Sequence, residues 1–164
     1  MTNHMTEWGV GPKFTLYSVT YCVIMFVLTI YIDPFFKITK SLSVSYQVLV
    51  LTGIILIVLG VPFYLFSMIP VMRAFKERRL ITSGVYGMCR HPVYAAWLLF
   101  FVPSLALFIN SWAFLSAPFV MYVIARTLVS KEDVYLEETF GQAYLAYKKR
   151  VPAILPYGWL KRST

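Results

Sequence analysis

At 164 residues the chain has the length of one domain, and 59% of its residues are hydrophobic while 13% are charged. Soluble globular domains carry about 25% charged residues, and the mean hydropathy here is +0.69. These values exclude an ordinary soluble domain and predict a single membrane domain over residues 1–164. The net charge of +8 is explained by basic residues flanking apolar segments, which contact anionic lipid, so we predict no nucleic-acid partner.

Four apolar runs are long enough to cross about 30 Å of hydrocarbon as helices. The predicted transmembrane spans are 14–32, 46–72, 93–109 and 112–129. The last two are separated by Asn110 and Ser111, which predicts a tight antiparallel helical hairpin. The predicted fold class is therefore all-α, an integral membrane bundle of four transmembrane helices.

The second span contains two glycines seven residues apart, Gly53 and Gly60, on one helix face. Small residues in a membrane helix allow a neighbouring helix to approach closely. We interpret them as packing positions rather than as part of a binding site.

Basic residues are distributed unevenly between the two ends of the predicted bundle. Five lie between Arg73 and Arg90 and six from Lys131 onward, whereas Lys37 and Lys40 are alone on the opposite face. The positive-inside rule then places both termini in the cytoplasm. We expect a multi-pass protein of the inner membrane in a prokaryote, or of the endoplasmic reticulum in a eukaryote.

The segment after the fourth span has apolar residues at helical spacing, at Leu136, Phe140 and Tyr144. This pattern predicts a cytoplasmic C-terminal amphipathic helix, interrupted near Gly141. Pro152 and Pro156 disfavour helix in the residues before them, so the end of the segment is expected to be extended.

The connector before the third span is unusually rich in Gly, Tyr, Arg and His. Pro92 occupies a favoured first helical position, and Arg90 and His91 precede it. Unpaired N–H groups at a helix start together with Arg90 would suit an anion. Alternatively, Arg90 contacts lipid headgroups and His91 caps the helix.

Glu132 and Asp133 follow the fourth span, where paired acids could bind a ribose diol, an ammonium or a sulfonium. Equally, they could form a solvated helix start. Arg126 lies one turn inside that span and should face a cavity or a partner; the simple explanation is pairing with Asp133, seven residues on.

Metal and disulfide chemistry find little support in the sequence. Cys22 and Cys89 have no CxxC spacing, and His4 and His91 are the two histidines. Because four-ligand metal spacing is absent, we predict no metal.

The run from Leu80 to Tyr86, followed by Arg90-His91-Pro92-x-Tyr94, resembles the signature of the isoprenylcysteine carboxyl methyltransferases and their phospholipid methyltransferase relatives. The similarity continues through Glu132-Asp133-x-x-Leu136, Phe140-Gly141-x-x-Tyr144-x-x-Tyr147 and Val151-Pro152. It implies a multi-span enzyme that uses S-adenosyl-L-methionine without a Rossmann domain. Segments 73–92 and 131–156 would then be its cytoplasmic cofactor-binding parts.

The resemblance also implies particular site residues. The cofactor would lie against Arg78, Arg79, Leu80, Ile81, Tyr86, His91, Pro92, Val93, Tyr94 and Glu132. Glu132 and His91 are the predicted catalytic residues, since either could accept a proton from an amine acceptor. The family's substrate-binding arginine, four residues before the position of Glu132, is replaced here by Leu128, which leaves Arg126 as the candidate substrate residue.

The predicted function is therefore methyl transfer to a lipophilic acceptor, with a prenylcysteine-type carboxylate favoured. The alternatives are N-methylation of a phospholipid or other lipid amine, a small four-span transporter, and a non-catalytic scaffold. Against the transporter, no Asp or Glu occurs within the four predicted spans. The sequence leaves the oligomeric state open.

Overall fold

A computed structural model describes residues 11–32, 44–111 and 113–156. These residues form five α-helices and no strand. The helices are α1 (Gly11–Val27), α2 (Tyr46–Glu77), α3 (Pro92–Ala96), α4 (Val102–Ile109) and α5 (Ala117–Arg150). A π-helical turn over Leu28–Ile32 extends α1, and another over Trp97–Phe101 joins α3 to α4.

Four helical stretches in the described parts of the chain are long and apolar enough to cross a membrane. They are Gly11–Tyr31, Tyr46–Glu77, Pro92–Ile109 and Ala113–Arg150. The chain is thus a multi-pass membrane protein, and the predicted all-α bundle of four spans is confirmed. Between the last two, Asn110 ends α4 with a left-handed backbone (φ 54°), and a 3₁₀ turn over Ala113–Ser116 leads into α5.

The core lies where the third span packs on α5. Small residues, among them Ala95, Ala117 and Ala125, are fully buried there, and Phe14 of α1 closes one side. Because a small side chain lets two helix backbones approach, this seam brings the start of α3 close to α5. The functional candidates lie at that end.

The two glycines of α2 are buried against the third span, which comprises α3, the π-helical turn and α4. A Cβ atom added at Gly60 would collide with Phe100, and one added at Gly53 would collide with Phe108. The predicted close helix contact is confirmed. The opposite side of α2 is apolar and exposed, as expected for a surface that faces lipid.

The last helix differs from the prediction. Residues 131–140 continue α5 directly from the membrane span, and residues 142–150 follow after a kink at Gly141, so the predicted separate amphipathic helix is not confirmed. No Gly or Pro lies between Phe119 and Phe140 to end the helix. The predicted interruption is present, since Gly141 has φ 53° and ψ −130°, values that L-residues rarely adopt.

Gly141 folds the chain back on itself. Asp133 and Tyr144 lie eleven residues apart, which is about 16 Å of rise in a straight helix, yet their side chains are hydrogen-bonded. After Val151 the chain is non-helical, as the prolines predicted. This return brings residues 142–154 against the start of α3.

Candidate functional site

A cluster of buried polar side chains lies where the connector 78–91 enters α3 beside α5. Pro92 is the first residue of α3, as predicted, so Arg90 and His91 sit immediately before the helix. Glu132 and Asp133 face them from α5. The two polar segments that are forty residues apart in sequence therefore meet at one end of the bundle.

Arg90 is held on several sides. Its Nη1 lies 2.6 Å from Asp133 Oδ1 and 2.9 Å from the Tyr144 hydroxyl, and its Nε donates to the Val151 carbonyl at 3.1 Å. The residue is 8% exposed. Because its charge is already paired with Asp133, Arg90 orders the site and is not available to an anion or a lipid headgroup.

His91 bridges the two acidic residues. Its Nδ1 lies 3.1 Å from Glu132 Oε2, and its Nε2 lies 3.1 Å from Asp133 Oδ1. When both carboxylates are ionised they can only accept hydrogen bonds, and both ring nitrogens of His91 then donate. Burial disfavours the charged ring, but the hydrogen bonds to Asp133 and Glu132 outweigh it and raise the pKa of His91 above its ordinary value. The predicted helix-capping alternative is not seen, because His91 makes no side-chain cap hydrogen bond.

Glu132 connects this cluster to the third span. The Tyr94 hydroxyl donates to Glu132 Oε1 at 2.9 Å, and the Tyr94 ring packs edge-on against Phe14 with ring centroids 5.0 Å apart. The Glu132 side chain is 13% exposed, whereas the side chains of His91 and Asp133 are 6% and 8% exposed. Glu132 is thus the more accessible of the two acidic residues.

The returning C-terminal segment fastens the connector. The backbone N–H of Arg90 donates to the Pro152 carbonyl at 2.8 Å, and that of His91 donates to the Ala153 carbonyl at 2.9 Å. The Tyr147 hydroxyl donates to the Tyr86 carbonyl at 2.6 Å. These bonds fix the backbone that presents Arg90 and His91.

The remaining predicted cofactor residues differ in accessibility. Tyr86 and Pro92 are buried, and the Tyr86 hydroxyl donates to the Ser67 carbonyl at 3.0 Å. The apolar residues Leu80, Ile81 and Val93 are half-buried. Arg78 and Arg79 are exposed. The Arg79 guanidinium pairs with Glu77 at 3.4 Å.

Arg126 does not join the cluster. It is exposed, and Asp133 pairs with Arg90, His91 and Lys148. The predicted Arg126–Asp133 pair is therefore wrong. Seven-residue spacing places Arg126 and Asp133 near one helix face. The Asp133 carboxylate, however, faces the start of α3 and pairs there with Arg90 instead of Arg126. Leu128 is buried in the core.

Three contributors to the cluster were not predicted in their roles. The sequence offers Asp133 as a ligand-binding acid and Tyr144 as a residue on a helix face, and it assigns Lys148 no role in the site. The sequence signal for Asp133 was its position beside Glu132, but its partners depend on the fold-back at Gly141. Among the described residues, which exclude His4, no group of three His, Cys, Asp or Glu side chains is arranged to hold a metal ion.

Comparison with known proteins adds a family assignment. A family model described as the isoprenylcysteine carboxyl methyltransferase (ICMT) family matches residues 48–138, more than half of the chain. That range contains the connector and both acidic residues of the cluster. No solved structure matches the chain significantly.

Several curated proteins are similar over part of their length. A protein-S-isoprenylcysteine O-methyltransferase from Mus musculus is 36% identical over 78 residues, covering 48% of this chain and 28% of that protein. The Schizosaccharomyces pombe protein of the same name is 30% identical over 91 residues, covering 56% and 39%. Protein-S-isoprenylcysteine O-methyltransferase B from Arabidopsis thaliana is 29% identical over 86 residues, covering 52% and 44%. The matches thus span less than half the length of these relatives.

Proposed function

Because the chain belongs to the isoprenylcysteine carboxyl methyltransferase family, we propose that it is an S-adenosyl-L-methionine-dependent membrane methyltransferase with a lipophilic acceptor. The favoured acceptor is a prenylcysteine-type carboxylate, the substrate type named in its relatives. The carrying observation is the contact between His91 and Glu132. It joins the two segments that the resemblance assigns to the cofactor.

The residues present are chemically suited to S-adenosyl-L-methionine. Glu132 offers a carboxylate to ribose hydroxyls or to a sulfonium, and it is the more accessible acid of the cluster. In the connector, where Leu80 packs against the cluster of Tyr144, Tyr147 and Val151, the N–H groups of residues 80–83 donate to no main-chain carbonyl among the described residues. Such N–H groups can bind a carboxylate, while half-buried Leu80, Ile81 and Val93 provide apolar surface.

Bound S-adenosyl-L-methionine would supply a methyl group already activated by its positive sulfur. The protein's task is then to hold donor and acceptor in line and to exclude water. The hydrogen bonds among Arg90, Asp133 and Tyr144 hold together the two segments that carry His91 and Glu132. Tyr94 orients the Glu132 carboxylate through its hydroxyl.

The protonation of His91 bears on which acceptor is used. A ring that donates from both nitrogens is an imidazolium and cannot take another proton. His91 therefore acts as an orienting cation, and Glu132 is left as the candidate base. A carboxylate acceptor is already deprotonated and needs no base. This agrees with a site in which both ring nitrogens of His91 are occupied by carboxylates.

The second candidate is N-methylation of a lipid amine. Leu128 stands where the family has an arginine for its substrate, and its burial in the core means that this position holds no acceptor carboxylate. Arg126, being exposed, would have to bind a carboxylate from outside the cluster. An amine acceptor would instead need Glu132 to accept its proton.

We place the cluster at the cytoplasmic end of the bundle, with both termini in the cytoplasm. Support comes from the basic residues at this end, because positively charged flanks stay on the cytoplasmic side. The cofactor would enter from the cytoplasm and the lipophilic acceptor sideways from the bilayer.

Binding of methyl-labelled S-adenosyl-L-methionine to the detergent-purified protein tests the proposed cofactor. We expect saturable binding that weakens at least tenfold in Glu132→Gln and in His91→Ala, consistent with loss of a charged hydrogen bond worth about 1.5–3 kcal/mol. Lys149→Gln is the control, since Lys149 is exposed at the end of α5. No binding by the intact protein would favour the transporter or scaffold alternative, and equal binding in all variants would refute the site.

A further inference from the structure

The end of α2 carries two exposed basic side chains that belong to no part of the polar cluster. Arg73 and Lys76 lie one turn apart and line a depression of about 230 Å³ together with Ile69 and Met72. The described residues contain no carboxylate within ion-pair distance of either one. The nearest acid on the helix, Glu77, pairs with Arg79.

These side chains continue the lipid-facing side of α2. At about 100° per residue, Phe66, Ile69, Met72, Arg73 and Lys76 fall within one third of the helix circumference. The residues of α2 that pack inside the bundle, Gly60, Ser67 and Ala74, fall on the opposite side. Phe66, Ile69 and Met72 are 68%, 47% and 48% exposed, so this strip meets acyl chains.

The length of α2 places its basic end in the headgroup layer. Its 32 residues extend about 48 Å at 1.5 Å per residue, whereas the hydrocarbon core is about 30 Å thick. The last turns must therefore leave the hydrocarbon. Arg73 and Lys76, about 4.5 Å apart along the axis, can both donate to one phosphate while Ile69 and Met72 contact the chains below.

We propose that Arg73 and Lys76 form a binding site for the phosphate of an anionic phospholipid. Charge complementarity selects an anionic lipid, and the adjoining apolar strip selects a lipid over a free phosphate. The partial negative charge at the C-terminal end of α2 favours the two basic side chains at this position. The site is separate from the Glu132 cluster, so it does not depend on the proposed methyl transfer.

Native mass spectrometry of the full chain released from mixed phosphatidylglycerol and phosphatidylcholine vesicles tests this site. We expect the intact protein to retain phosphatidylglycerol preferentially. Each basic residue near an anionic surface contributes a factor of about five, so Arg73→Gln with Lys76→Gln should reduce that preference by about 10- to 25-fold. The unfolding midpoint in phosphatidylcholine alone should not change, because both side chains are exposed.

The control removes the same charge elsewhere. The control variant, Lys149→Gln with Arg150→Gln, removes two charges at the exposed end of α5, on a different helix from the apolar strip. It should reduce the preference clearly less than Arg73→Gln with Lys76→Gln does. An equal loss in both double variants would overturn the proposal in favour of diffuse attraction. Full displacement of phosphatidylglycerol by inorganic phosphate at the same concentration would also overturn it, in favour of a free-anion site.

Discussion

Asp133 is the residue on which the polar cluster converges. Its Oδ1 accepts from Arg90 at 2.6 Å, from Tyr144 at 2.5 Å and lies 3.1 Å from His91 Nε2. Arg90 is a cation, His91 becomes one when it is protonated, and both have almost no solvent contact. A buried cation is tolerated when it is paired and is costly when it is not, so this carboxylate determines whether Arg90 and His91 can stay buried.

Asp133→Asn should destabilise the protein severely. Removing one partner of a buried ion pair typically costs about 3–5 kcal/mol because the other charge is left uncompensated. Thermal inactivation in detergent measures the effect, with Glu138→Gln as the control, since Glu138 is exposed on the same helix. Equal midpoints for the two variants would show that Asp133 does not hold the cluster together.

His91 should make stability depend on pH. Its pKa is raised in the folded protein, so its stabilising contribution is complete below the unfolded value of about 6.5 and is lost as pH rises through the folded value. We expect the inactivation temperature of the intact protein to decrease as the pH rises above about 6.5. In His91→Gln this decline should be clearly shallower, and a decline of the same slope in both proteins would contradict the assignment.

At the scale of the element, α5 does two tasks in one helix. Its first part packs against the third span, and Glu132 and Asp133 follow immediately on the same helix. Gly141 then reverses the chain, so that Tyr144 and Tyr147 reach the connector. The reversal at Gly141 therefore lets one stretch of chain supply both the acidic residues and the tyrosines that hold the connector.

Gly141→Ala should weaken the cluster through backbone strain alone. A Cβ at Gly141 would meet nothing within 4 Å, but φ is +53°, and forcing a non-glycine residue into such a region costs about 1–3 kcal/mol. Gly11→Ala is a matched control, because its Cβ also meets nothing and no unusual φ is required. The measurement is the inactivation midpoint, and equal midpoints would mean that Gly141 is replaceable.

At the scale of the whole molecule, the sequence was sufficient where local patterns decide the structure. Four spans follow from uninterrupted apolar runs, and Pro92 marks the start of α3. The helix contacts of Gly53 and Gly60 follow from their spacing and size. Each of these features depends on neighbours within one or two helical turns.

Pairings between distant elements could not be derived in the same way. Helical spacing suggested Arg126 as the partner of Asp133, but the packing of α3 on α5 gives Asp133 to Arg90 and His91. The contact of Tyr144 with Asp133 needs the reversal at Gly141, whose direction no local pattern specifies. The resemblance pointed to two segments whose polar residues are in contact in the structure, and three-dimensional packing assigned the partners within them.

Methyl transfer itself is the most direct test of the proposed function. Membranes containing the protein would be incubated with S-adenosyl-L-methionine labelled in its methyl group and with a farnesylated cysteine that has a free carboxylate. We predict label in the lipophilic product that is released by mild base, as a methyl ester requires, and at least tenfold less label with Glu132→Gln. Label that resists base, or no incorporation by the intact protein, would contradict transfer to a prenylcysteine-type carboxylate.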